Sequence, residues 1–137
     1  MDDEYYMKIA IKLANKAYKK NEVPVGAIIV KNNKIIAKAY NKKESTRNPI
    51  HHAEIIAIQR ACKKEKNWHL NNCILYTTLE PCMMCTGAIH QARIKKVIYG
   101  TKNYNYGYIS YLTSVESKNM ENKECISLLK NFFKNKR

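Results

Sequence analysis

Residues 73–100 read CILYTTLEPCMMCTGAIHQARIKKVIYG, and their texture changes twice. CILYTTLE is rich in β-branched, aromatic and aliphatic residues and predicts a strand that begins one residue earlier, at Asn72. PCMMCTGAIHQAR predicts a helix with Pro81 near its first position, where the missing N–H costs nothing. KKVIYG returns to strand-forming residues. Strand, helix and strand within about 30 residues predict two parallel strands joined by a right-handed crossover. This unit makes the chain α/β.

Reading outward from it, the N-terminal side supplies the matching layers. Tyr6, Ile9, Ala10, Leu13, Ala14 and Ala17 recur at intervals of three and four, which predicts an amphipathic helix from Asp3 to about Lys20. VGAIIV and KIIAKAY, separated by turn-forming asparagines in KNNK, predict an antiparallel hairpin. NKKESTRNPI, residues 41–50, reads as a polar loop in which Pro49 disfavours helix before it. A largely apolar helix, which reads as buried, follows from His51 or His52 to about Lys66. Downstream of Gly100, NYNYGYISYL reads as an aromatic loop. ECISLLKNFFKNKR reads as a closing amphipathic helix with a basic tail.

Composition bounds the rest. The 137 residues, 45% apolar with four glycines and three prolines, fit one domain spanning residues 1–137. No run approaches the roughly 18 apolar residues of a membrane span, and MDDEYYMKIA is acidic without a hydrophobic leader. The chain therefore reads as cytoplasmic, with no membrane partner. The formal charge of +14 favours phosphate backbones or other anionic surfaces. All but four of the 25 basic residues are lysines, and abundant Asn and Ile beside them also suit a genome-wide compositional bias. Five cysteines are an odd number for a disulfide framework; Cys82 and Cys85 form a CxxC that points to metal or redox chemistry.

The second feature that needs a chemical reading is IHHAEII, residues 50–56. His52 opens one helix, while Cys82 and Cys85 open another. The positive end of a helix and a bound cation both favour thiolates, so the three side chains suit convergence on one ion. One nitrogen and two sulfurs suit Zn²⁺, and three protein ligands leave a fourth tetrahedral position for water, the pattern of a catalytic site. Glu54 is a carboxylate in an apolar helix, costly to bury unless paired, and stands where it can carry a proton.

H-x-E followed by P-C-x-x-C is a signature of zinc nucleobase deaminases. Beyond it the chain resembles the bacterial tRNA adenosine deaminases, of the cytidine and deoxycytidylate deaminase superfamily. The resemblance is carried by EVPVGAIIV, the asparagine of AYNKKE, HAEIIAI, LYTTLEPCMMCTGAI, RIKKVIYG and ECISLLKNFF, and runs from about Tyr6 to Lys134. It implies a three-layer α/β/α fold with a mixed sheet of four or five strands, one Zn²⁺ per subunit on His52, Cys82 and Cys85, and Glu54 as acid and base. It also implies a homodimer acting on the tRNA anticodon stem-loop, converting adenosine to inosine at the wobble position. Asn41, Pro81, Asn103, Phe132 and Phe133 match positions beside the substrate, and His51 reads as a rim side chain.

Two departures stand out. Between Leu112 and Glu124 the chain is about ten residues shorter than the family pattern, where a last strand is expected, so a fifth strand is short or absent. Asn103 stands where the family usually has Asp. Three other readings share part of the pattern: a deaminase of free guanine or cytosine bases or nucleosides, a catalytically silent nucleic-acid-binding zinc protein, and a CxxC redox protein. The remaining cysteines, Cys62, Cys73 and Cys125, read as small core residues. Met83 and Met84 read as core or dimer contacts, and Tyr104, Tyr106, Tyr108 and Tyr111 as base-stacking, edge-strand or interface residues.

Overall fold

The computed structural model describes residues 1–135; Lys136 and Arg137, the end of the basic tail, lie outside the described residues. Five strands form one sheet: β1 (Gly26–Lys31), β2 (Lys34–Tyr40), β3 (Cys73–Leu79), β4 (Lys96–Thr101) and β5 (Glu116–Asn119). Their spatial order is β2-β1-β3-β4-β5. β1 pairs antiparallel with both β2 and β3, whereas β3, β4 and β5 run parallel. The expected strand–helix–strand unit is therefore present, with α4 (Met83–Gln91) between the parallel strands β3 and β4.

Alternation along the central strands separates two apolar layers. Ala27, Ile29, Leu75 and Val97 face α4 and α3 (Ala53–Glu65), whose Ile56, Ala57, Ala61 and Ile89 complete that layer. Ile28, Val30, Tyr76 and Ile98 face the opposite way, onto Tyr6, Met7, Ala10 and Leu13 of α1 (Asp3–Lys19) and Cys125 of α5 (Lys123–Asn135). A strand with period two between helices on both sides must be apolar throughout, as GAIIV is. Gly26 lets α1 lie against the sheet, since a side chain there would collide with the Ala10 carbonyl and the Ala14 amide. The hairpin turns through Asn32 and Asn33, both at positive φ (52° and 63°), a backbone region that asparagine tolerates better than most residues.

Three expectations need correction. The polar loop contains a short helix, α2 (Lys43–Thr46). Its backbone amides at Glu44 and Ser45 donate to the two carboxylate oxygens of buried Glu22, at 2.9 and 2.7 Å, a cap delivered from another part of the chain. Pro81 lies outside α4, which begins at Met83 with Cys82 as its N-cap. The α3 helix is buried along one face only; Ile55 and Ile58 are half-buried. The fifth strand, expected to be short or absent, is present in its short form, four residues paired with β4 from Lys96↔Glu116 to Tyr99↔Asn119. Its residues ESKN carry no apolar alternation that would have announced it. Among the described residues no helix is long and apolar enough to cross a membrane.

Candidate metal centre and substrate cavity

Two helix N-termini meet at one edge of the sheet. His52 is the N-cap of α3 and Cys82 the N-cap of α4, and neither side chain makes a capping hydrogen bond. Both are thus free to face each other. His52 Nδ1 lies 3.7 Å from Cys82 Sγ and 3.5 Å from Cys85 Sγ. Metal–ligand bonds of about 2.0 Å to nitrogen and 2.3 Å to sulfur at a tetrahedral angle separate the two ligand atoms by about 3.5 Å. The three donor atoms lie within 4.8 Å of one another, so the cluster is already spaced to hold a zinc-sized ion.

The electrostatics agree with the geometry. A hydrogen bond from the Cys85 thiol, helped by His52, draws Cys82 down to about 4, which makes it a thiolate at neutral pH. The same contact with Cys82, together with burial, holds the proton on Cys85. His52 is raised, chiefly by Cys82. A divalent cation at the centre competes with these protons for the same lone pairs.

Glu54, in the first turn of α3, is 4% exposed. Burial pushes its carboxyl up to about 7, so it exchanges a proton readily near neutral pH. It faces a cavity of about 840 Å³ that His52, Cys82 and Asn41 also line. That is ample room for a nucleoside.

The orphan amide at the start of α3 is capped from elsewhere: Asn41 Oδ1 accepts from the Ala53 N–H at 2.7 Å. Buried Asn41 thereby does the work that His52, turned to the metal site, does not. Asn103 also lines the cavity, and its Oδ1 accepts from the Tyr106 N–H at 3.2 Å, so its side chain shapes the 103–107 turn. Phe132 and Phe133 supply the wall on the α5 side; Phe132 is buried against Tyr18, and Phe133 is 54% exposed. Pro81 does not line the cavity, although its neighbours Glu80 and Cys82 do, and its carbonyl accepts from the Tyr108 N–H. His51 is not among the residues that line the cavity; its Nδ1 lies 2.8 Å from Thr46 Oγ1.

Two cavity-lining carboxylates escaped the sequence reading. Glu22 holds α2 as described, and Glu80, buried beside Cys82, accepts from the Asn103 N–H at 3.1 Å. Both carboxylates line the cavity and fasten its sides to the core through backbone amides of Glu44, Ser45 and Asn103. Gly107 is required for the second of these contacts, because a side chain there would collide with the Glu80 carboxylate. The signal was available: each is a lone acid in a strongly basic chain, in NEVP and LEPC. Of the other residues singled out, Cys73 and Cys125 are buried, while Cys62 is half-buried. Met83, Tyr104, Tyr106 and Tyr111 are exposed.

Residues 1–137 match the family model described as MafB19-like deaminase. A tRNA-specific adenosine deaminase of Aquifex aeolicus (strain VF5) is 47% identical over 107 residues, 78% of this chain and 71% of that one. That of Buchnera aphidicola subsp. Schizaphis graminum (strain Sg) is 42% identical over 145 residues, 98% of this chain and 96% of its own. Among solved structures, one from work on A-to-I editing by tRNA:A34 deaminases at the wobble position superposes with a TM-score of 0.87 at 29% identity, covering 92% of this chain and 99% of that one. A guanine deaminase from Bacillus subtilis gives 0.72 at 37% identity, covering 85% and 72%.

Proposed function

The chain belongs to the tRNA-specific adenosine deaminases, and from that premise we propose that it hydrolyses adenosine to inosine at the wobble position of a tRNA anticodon. The observation that carries the reading is the juxtaposition of Glu54 with the His52–Cys82–Cys85 cluster on the floor of a nucleoside-sized cavity. His52, Cys82 and Cys85 would hold one Zn²⁺ per subunit. When bound, the ion supplies the Lewis acidity that makes water a nucleophile at neutral pH.

The protein's own groups do the rest. Glu54 takes a proton from the attacking water and returns it to the departing amine, while the C6–N6 bond of adenine breaks, a C6–O bond forms and ammonia leaves. Asn41, with its Oδ1 fixed on Ala53, has its amide NH₂ available to donate to the nucleoside. Asn103 and the aromatic pair Phe132 and Phe133 form walls against which the adenosine and its neighbours pack, and Pro81 fixes the loop through Tyr108.

The active unit we propose is a cytoplasmic homodimer of single-domain subunits. On α4, exposed Met83, Gly87 and His90 share one face with half-buried Met84 and Ala88. An apolar face of that kind favours a second copy.

The rival with most support is a free-base deaminase, given the likeness to the guanine deaminase. Ammonia release separates the two: an adenosine-bearing anticodon stem-loop is expected to release it, and free guanine, cytosine or their nucleosides are not. Faster turnover of any of these small molecules than of the stem-loop would replace the tRNA reading by the rival.

A further inference from the structure

Beside the cavity mouth, away from the metal ligands, the ends of α1 and β2 bring several cations around one phenol. Lys20 Nζ donates to the Tyr40 hydroxyl at 2.9 Å. Lys20 and Lys42 Nζ lie 5.3 and 5.1 Å from the centre of the Tyr40 ring. The charges that act on the Tyr40 hydroxyl are Lys20, Lys42 and Lys16, all ammonium groups, and the hydrogen bond from Lys20 lowers its affinity for its proton.

None of these three lysines has a carboxylate partner: the ion pairs among the described residues are Lys31–Glu65, Lys96–Glu116 and Lys118–Asp3. The C-terminal end of α1 accounts for a cation nearby, since the helix dipole favours one there. It does not account for Lys42, which reaches the same ring from beyond β2. Like charges gathered without a counter-ion repel one another, and an anion would relieve this. Because the Tyr40 oxygen already accepts from Lys20, its own O–H is left to donate outward.

The position tells which anion. Tyr40 and Lys42 flank Asn41 in the chain, and Lys20 precedes Asn21; Asn41 and Asn21 both line the cavity. A strand whose base enters the cavity passes its backbone over this rim. We infer that Lys20, Tyr40 and Lys42 form a phosphate-binding point that grips the RNA backbone next to the adenosine held over the metal centre. This rests on the RNA-substrate reading above. It adds the residues that position the strand, as distinct from those that perform the chemistry.

The test uses the zinc-loaded full chain, a fluorescent anticodon stem-loop for binding at several salt concentrations, and inosine formation for turnover. Lys20→Gln with Lys42→Gln is compared with Lys63→Gln and Lys64→Gln, an equal charge change in the last turn of α3, at the far end of that helix from His52. The first pair is expected to raise KM and Kd about tenfold, to flatten the salt dependence of log Kd by about one to two, and to change kcat little. Tyr40→Phe is expected to give a smaller rise in KM in the same direction. The second pair is expected to shift KM about twofold or less. Equal effects from the two pairs would overturn the inference while leaving the deaminase reading intact, because wild type still makes inosine. The opposite separation is also visible: stem-loop binding that depends on Lys20 and Lys42, without any inosine, would support the phosphate point and remove the proposed reaction.

Discussion

Glu54→Gln keeps the shape of a buried side chain and removes its capacity to carry a proton, so it separates chemistry from structure. We expect kcat to fall by about a hundredfold or more with zinc content unchanged, because Glu54 lines the cavity without belonging to the cluster of donor atoms. Cys82→Ala or Cys85→Ala should instead lose the metal, which elemental analysis of the purified variants checks. Asn41 makes a different prediction. Asn41→Ala leaves the Ala53 amide unpaired and should cost about 1 kcal/mol or more in chemical denaturation. Asn41→Asp keeps the acceptor oxygen and places a negative charge at a helix N-terminus. It should retain stability yet lose turnover, since the donating amide is gone; full activity in Asn41→Asp would make the residue a cap alone. The three donor side chains were legible in the sequence because His52 and Cys82 cap helices whose starts are locally encoded and Cys85 lies in the first turn after Cys82. The second roles of Asn41, Glu22 and Glu80 were not, because their partners lie 12 to 23 residues away and only the folded chain brings them together.

Among the elements, α2 shows how a cavity wall is held in place. Four residues make about one helical turn, too short to persist in water on its own. The Glu22 carboxylate therefore decides whether this wall stands. Glu22→Gln exchanges one charged acceptor for a neutral amide that can satisfy only one of the two amides. The cost should be about 2 kcal/mol, with hydrogen exchange at Glu44 and Ser45 accelerating before the rest of the sheet does. Unchanged exchange at these two amides would contradict that account. Long periodic elements such as α1 and the strands of VGAIIV and CILYTTLE were readable because one sequence period meets one continuous core. The short ones were hidden for stated reasons: α2 depends on a distant cap, and β5 is mostly solvent-facing, its main contribution being backbone pairing to β4.

At the scale of the whole molecule, a basic chain of 16.0 kDa presents both a cavity whose lining includes Lys43 and Lys102 and an α4 face on which Met83 is exposed. Light scattering should give twice the monomer mass at micromolar concentration. Met83→Asp, which buries a charge in the proposed contact, should shift the protein to the monomer without unfolding it, as followed by circular dichroism. Dimer mass retained in Met83→Asp would move the interface away from α4. The central claim concerns the reaction itself, and position-resolved inosine tests it most directly. Zinc-loaded protein and its Glu54→Gln variant are incubated with a tRNA bearing adenosine at the wobble position, and the product is sequenced. The account predicts inosine at that one position with wild type, and none above background with the variant at equal zinc content. Adenosine left intact by wild type, or inosine made equally well by Glu54→Gln, would contradict it.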